Sequence, residues 1–169
     1  MTKELFDIVD RDDNVIGTTD KETDHATGQL HRVAAVFVFN PAGELYVQVH
    51  NRDGKWDHSV GGHVQKGESY GQAAAREAKE ELGITQPLKE IATSLSGEEY
   101  SYEQHLFGLY TCVIDSSWEF VPNDEVNSIF AMSVDEIVQA MKIEPRDRFT
   151  RGFRITMAEY LRQNASIGS

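Results

Sequence analysis

Three glutamates, Glu77, Glu80 and Glu81, stand at i, i+3 and i+4 in a stretch of helical composition. At that spacing they project from one face of a helix. Like charges so placed repel by about a few tenths of a kcal/mol per pair. A hard divalent cation with a preference for oxygen would reward the arrangement. A solvated acidic face is the other use of the same residues. The elements around them set the helix. Ser69, with Gln72 three residues on, forms a capping-box pattern at its start. Ala73, Ala74, Ala75 and Ala78 favour helix and leave one side narrow. Gly83 stands where a left-handed cap would end it. The spacing predicts a helix over 70–82. Before it, Gly61 and Gly62 lack Cβ, so the backbone there can approach a metal or phosphate, or simply turn.

The chain has 169 residues, suited to one domain (1–169) with a sizeable core, and 40% of them are hydrophobic. Its formal charge is −12, from 28 acidic and 16 basic residues. That balance argues against a nucleic-acid polymer as partner, which requires basic surface. It leaves room for a small anionic substrate where metal and local cations offset the field. The single cysteine, Cys112, lies in an apolar run, which implies a buried thiol and a reducing, cytoplasmic setting. No apolar run is long enough to span a membrane, and the acidic, alternating N-terminus is unlike a secretory signal.

Alternation and turn chemistry predict a hairpin of strands 4–9 and 15–19. It could pair with a neighbouring sheet or with a second subunit, so a homodimer is open. Residues 33–39 read as a strand covered on both faces, followed by strands over 45–50, 88–95, 104–114 and 126–132. Ser133 to Glu136 is a second capping box, opening a helix to about Lys142, and a final amphipathic helix is expected over 147–162. Residues 51–55 read as a polar loop. Strands before, between and after helices indicate an α+β or α/β sandwich. Arg32, Arg52 and Lys55 are the cations suited to phosphates. Trp56 and Tyr102 could stack on a base, with a core role favoured for Trp56.

One segment carries a resemblance. Gly62, five residues, Glu68, seven residues, then Arg76-Glu77-Ala78-Lys79-Glu80-Glu81-Leu82-Gly83-Ile84 fills all nine constrained positions of G-x5-E-x7-R-E-U-x-E-E-x-G-U. This stretch, 62–84, resembles the Nudix box. The resemblance implies an αβα sandwich around a mixed sheet and hydrolysis of a diphosphate linkage in a nucleoside diphosphate or its derivative. It implies Mg²⁺, with Mn²⁺ as the alternative, held by Glu77, Glu80 and Glu81 and completed by a carbonyl near Gly61. Glu68 would brace the loop or meet the metal through water, and Arg76 would orient a neighbouring glutamate. The general base would be Glu77 or a later glutamate, of which Glu103 is preferred over Glu98 and Glu99.

Outside the box the chain is similar to the isopentenyl-diphosphate isomerase-like branch of the superfamily. Val15-Ile16-Gly17, His25, His31 and Ser59-Val60-Gly61-Gly62-His63 carry that similarity. Isomerases place a catalytic cysteine where this chain has Gly61, and they usually have a degraded box, whereas this one is intact. Both departures favour a hydrolase over an isomerase; a nucleotide sensor without turnover is the third reading. His25, His31 and His63 match positions of a second metal site in the isomerases, and in a hydrolase they would bind phosphate or serve structure. His63, beside the glycine pair, is also a candidate for contact with substrate.

Overall fold

A computed structural model describes residues 4–20, 23, 28–97 and 105–165. Its organising strand is β3 (His31–Phe39). Seven consecutive apolar residues, most of them β-branched or aromatic, favour an extended chain with both faces covered. Alternate residues divide between two cores. Ala34, Val36 and Val38 pack against helix α1 (Tyr70–Leu82). Ala35, Phe37 and Phe39 pack against helices α2 (Val134–Ile143) and α3 (Arg151–Ala165). The result is the expected sandwich of helices on both sides of one sheet. Fully burying a side chain such as Phe37 contributes about 1.5–3 kcal/mol.

Around β3 the sheet is mixed. Along its whole length β3 runs parallel to β8 (His105–Val113), from His31 opposite His105 to Phe39 opposite Val113. Its other edge pairs with β6 (Val60–His63), in the register Val33 with His63 to Val36 with Val60. It then turns into β4 (Leu45–Val49), which carries β5 (Trp56–Asp57) and β9 (Ile129–Met132). Strand β7 (Lys89–Leu95) adds to the free side of β8.

The hairpin of β1 (Leu5–Val9) and β2 (Val15–Asp20) joins this same sheet through Ile8 opposite His31. It also clasps the loop before α1. Gly67 N–H donates to the Asp7 carboxylate at 3.0 Å, and Lys66 N–H to the Leu5 carbonyl at 2.7 Å. In its turn Asp13 has φ +65° and meets Ser94, φ +56°, through a short hydrogen bond. These are the two non-glycine residues with positive φ among those described, and each holds the other in place.

Two expectations change. The glycine pair lies within strand β6, because the ladder to β3 satisfies its backbone; the polar loop over 51–55 ends, as expected, where β5 begins at Trp56. The final helix starts at Arg151, after a 3₁₀ turn over Arg146–Arg148. Thr150 accepts from Phe153 N–H at 3.2 Å and so caps it. Among the described residues, no helix is long and apolar enough to cross a membrane.

Candidate active site

Helix α1 begins and ends as its residues dictate. Ser69 and Gln72 close the reciprocal capping box, at 2.9 and 3.2 Å, and Gly83 ends the helix at φ +65°. Ala73, Ala74 and Ala78 are buried on the sheet. Small residues there bring the helix close, and Glu77 and Glu81, one turn apart, are carried into the interface with them.

A third carboxylate joins from far along the chain. Glu125 lies in the loop before β9, and its oxygen comes with those of Glu77 and Glu81 within 4.8 Å of one another. Asn123 docks that loop. Its Nδ2 donates to the Glu81 carbonyl at 2.7 Å, while its Oδ1 accepts from Glu125 and Val126 N–H at 2.9 and 2.8 Å. Glu80 takes a different place: its side chain is 51% exposed and it accepts from Arg76 Nη1 at 3.2 Å.

Electrostatically the two buried members, Glu77 and Glu81, are strained. Burial pushes the Glu81 carboxyl up to about 8, with Glu77 and Glu125 adding to the shift; the amides of Gln48 (Nε2 to Oε2, 3.0 Å) and Gly61 pull the other way. Burial also raises Glu77, against the opposing pull of Arg76. Arg76 is fully engaged in positioning. It donates to both Glu68 oxygens at 2.9 and 3.0 Å, to Glu77 at 2.7 Å and to the His63 carbonyl at 3.0 Å. Glu68 first, then Glu77, holds Arg76 firmly protonated, and Arg76 in turn lowers Glu68. The fork links the loop before the helix to the helix itself.

The two glycines serve different ends. A Cβ on Gly62 would lie 2.1 Å from the Glu77 carboxyl carbon, so only glycine lets that carboxylate lie against the strand. A Cβ on Gly61 would meet nothing nearer than His58 Nδ1 at 3.7 Å. Gly61 N–H faces Glu81, and in a strand a residue's carbonyl lies on the same edge as its N–H.

Behind the glycines opens a cavity of about 650 Å³, lined by Gly61, Gly62, His63, His105, Arg52 and Arg151, among others. Asp57 sits in its wall with both oxygens engaged. It accepts from His58 Nδ1 (2.7 Å), Thr150 Oγ1 (2.6 Å) and His50 Nε2 (2.8 Å). Although burial opposes it, the His58 charge and these donors hold Asp57 well below the carboxylate range, and the Asp57 hydrogen bond raises His50. Beside the cavity, His31, His63 and His105 can place one nitrogen each within 4.8 Å of the others.

Other residues singled out in the sequence fall as follows. Arg52 lines the cavity with its side chain 87% exposed. Lys55 lies 3.8 Å from Asp53 and is not in the lining. Arg32 donates to Asp13 Oδ1 at 2.5 Å and packs over Tyr70, away from the cavity. Trp56 packs edge-on to Phe130 and Phe149, a core role. Cys112 is buried, its thiol pushed up to about 11. His25, Glu98, Glu99, Tyr102 and Glu103 lie outside the described residues. Sequence reasoning missed Gln48, Asn123, Glu125, His105 and Arg151. No local pattern marks them, because each reaches the site through tertiary contact.

Residues 29–153 match the family described as NUDIX domain. The chain is 32% identical over 159 residues to an isopentenyl-diphosphate Delta-isomerase of Pectobacterium atrosepticum, spanning 89% of this chain and 88% of that protein. It is 34% identical over 142 residues to an uncharacterized Nudix hydrolase of Yersinia pestis, spanning 79% and 75% respectively. The crystal structure of DR0079 from Deinococcus radiodurans matches it with a TM-score of 0.67 at 26% identity, over 83% of this chain and 90% of that one.

Proposed function

Since this chain belongs to the NUDIX family, we propose that it is a metal-dependent hydrolase that cleaves a diphosphate linkage in a nucleoside diphosphate or a derivative of one. The carrying observation is the trio Glu77, Glu81 and Glu125, in which an exposed third acid comes up against two buried ones whose ionised forms need a counter-charge. An all-oxygen set of this kind fits Mg²⁺, with Mn²⁺ as a substitute. Glu77, Glu81 and Glu125 would hold the ion, with the Gly61 carbonyl beside them and Glu80 at the rim. Bound there, the ion would offset the diphosphate's charge and acidify a water.

The chain's own groups do the rest. Arg76 and Glu68 keep the carboxylates oriented. Arg52 and His63 meet the anionic substrate in the cavity, while Lys55 adds positive charge nearby. Glu77, or Glu103 from the later segment, takes the proton of the attacking water. The products are two phosphate-bearing fragments, the bond broken being a P–O bond of the anhydride.

A screen of nucleoside diphosphate derivatives with Mg²⁺, read by phosphate release and mass spectrometry, tests this. Turnover that disappears in Glu81→Gln, with the fold intact by circular dichroism, is the expected outcome. Undiminished turnover in that variant would overturn the assignment.

A second reading draws on the histidine trio. His31, His63 and His105 would suit a borderline ion such as Mn²⁺ or Zn²⁺, the kind of second site expected of the isomerase-like branch. Gly61 offers no thiol for proton transfer at carbon, so hydrolysis is preferred. Deuterium uptake by isopentenyl diphosphate in heavy water would favour the isomerase instead.

A further inference from the structure

The last carbonyls of an α-helix have no partner within it. At the end of α1 the chain's own turn satisfies two of them. Ile84 N–H donates to the Ala78 carbonyl and Gly83 N–H to the Lys79 carbonyl, both at 3.0 Å. Two more are met from far along the sequence. Asn123 Nδ2 donates to the Glu81 carbonyl at 2.7 Å, and Trp118 Nε1 to the Leu82 carbonyl at 3.1 Å. Both donors come from residues 114–128, between β8 and β9, which run without helix or strand. Glu81 is thus held at two points, its carboxylate by Gln48 and its carbonyl by Asn123. The other end of the Asn123 amide shapes the loop. Its Oδ1 accepts from Glu125 and Val126 N–H at 2.9 and 2.8 Å, and Asn123 N–H donates to the Val126 carbonyl at 2.9 Å. These bonds fold the chain back on itself around Glu125, and Val126, 1% exposed, anchors it in the core beneath α1.

We propose that Asn123 is a positioning residue for the metal: by fastening the turn that carries Glu125 to the end of α1, it turns an exposed loop acid into the third oxygen ligand. This role presupposes the glutamate-bound ion proposed above and names the contact that assembles its site. Glu125 is exposed, yet its carboxylate comes within 4.8 Å of those of Glu77 and Glu81. Carboxylates at that range repel one another, so the approach needs a restraint on the backbone that carries the third. Asn123 supplies it with one side chain, Nδ2 on the helix and Oδ1 on the turn. The coupling is reciprocal: an ion gripping all three acids also holds the loop onto the helix.

Mn²⁺ alone is the probe, titrated into the full chain and followed by electron paramagnetic resonance, so that binding is read without turnover. Asn123→Ser keeps a short oxygen for the Val126 N–H but cannot reach the Glu81 carbonyl, and it leaves the net charge unchanged. It should weaken Mn²⁺ binding about ten- to a hundredfold, as loss of a residue that orients a metal ligand does. A double-mutant cycle with Glu125→Gln separates positioning from a general loss of structure. In the Glu125→Gln background, Asn123→Ser should change the affinity by less than twofold. Asn164→Ser removes the same kind of bond, Nδ2 to the Tyr160 carbonyl at 2.8 Å, near the end of α3, and should match the wild type. Melting curves show whether each variant folds. If Asn123→Ser does not, Trp118→Phe decides, with weaker binding expected only where Glu125 is present. Mn²⁺ affinity of folded Asn123→Ser within twofold of the wild type would overturn the proposal. So would an equal loss with and without Glu125, or no binding by the wild type at millimolar Mn²⁺. Coupling between the two residues without hydrolysis of any nucleoside diphosphate derivative would refute the activity and leave the positioning role standing. Hydrolysis lost in Glu81→Gln, with Mn²⁺ binding untouched by Asn123→Ser, would refute the positioning role alone.

Discussion

Glu81→Gln should make the metal-free protein more stable at alkaline pH while destroying its function. In the folded chain burial pushes the Glu81 carboxyl up to about 8, against an ordinary value of 4.5. A group whose folded pKa is raised favours folding below its unfolded value, and that advantage is lost as the pH rises through the folded value. The wild type therefore loses stability between about pH 4.5 and 8. At about 1.4 kcal/mol per pH unit the full loss is about 5 kcal/mol. Water entry and local relaxation lower this, so about 2–5 kcal/mol is expected. Glutamine keeps the shape and the acceptor for Gln48 but has no charge to bury. Urea unfolding in chelator, at several pH values, measures the difference between the two proteins, and contributions common to both cancel. That difference should be small near pH 4.5 and grow in favour of Glu81→Gln to a plateau above pH 8. A pH-independent difference, or a variant less stable than the wild type at pH 9, would refute the reasoning. Adding Mg²⁺ supplies a second arm. At a hundred times its Kd a ligand stabilises the folded state by about 2.7 kcal/mol, which the wild type should show and the variant should not.

Four further outcomes are expected. Gly62→Ala should cost about 1–3 kcal/mol in chemical denaturation and weaken metal binding, because its Cβ would displace the Glu77 carboxylate. Glu125→Gln should weaken Mn²⁺ binding, followed by electron paramagnetic resonance, more than Glu80→Gln does, since Glu125 belongs to the close trio and Glu80 does not; the reverse order would exchange their roles. Arg76→Lys should lose about 2 kcal/mol or more of stability, as a point charge cannot hold Glu68, Glu77 and the His63 carbonyl together. The Cys112 thiol, raised to about 11 by burial, should react with a thiol reagent at neutral pH only as fast as the protein unfolds, so rapid labelling of the native state would contradict its placement.

Some of this protein could be read along the chain. The box helix was expected over 70–82 and is found at Tyr70–Leu82, because its caps and alanines are local determinants that act within a few residues. Strand β3 was legible for the same kind of reason, since a continuous apolar β-branched run has one economical use, burial on both faces. That Glu77 and Glu81 share one helix face followed from their spacing, and the two carboxylates do come together. Tertiary structure decided everything that depends on distant segments meeting. Gly61 and Gly62 read as a loop, yet the ladder to β3 makes them a strand, and Gly62 is required by Glu77. Arg32 had the character of a phosphate ligand, but Asp13, held in a left-handed turn of the hairpin, engages it. His25 was the expected companion of His31, while parallel pairing of β3 with β8 brings His105 alongside it. Glu125 and Arg151 carry no local signature. An acid in a loop comes to lie beside two buried carboxylates, and an arginine at a helix start comes to line a cavity, only through what the fold brings together.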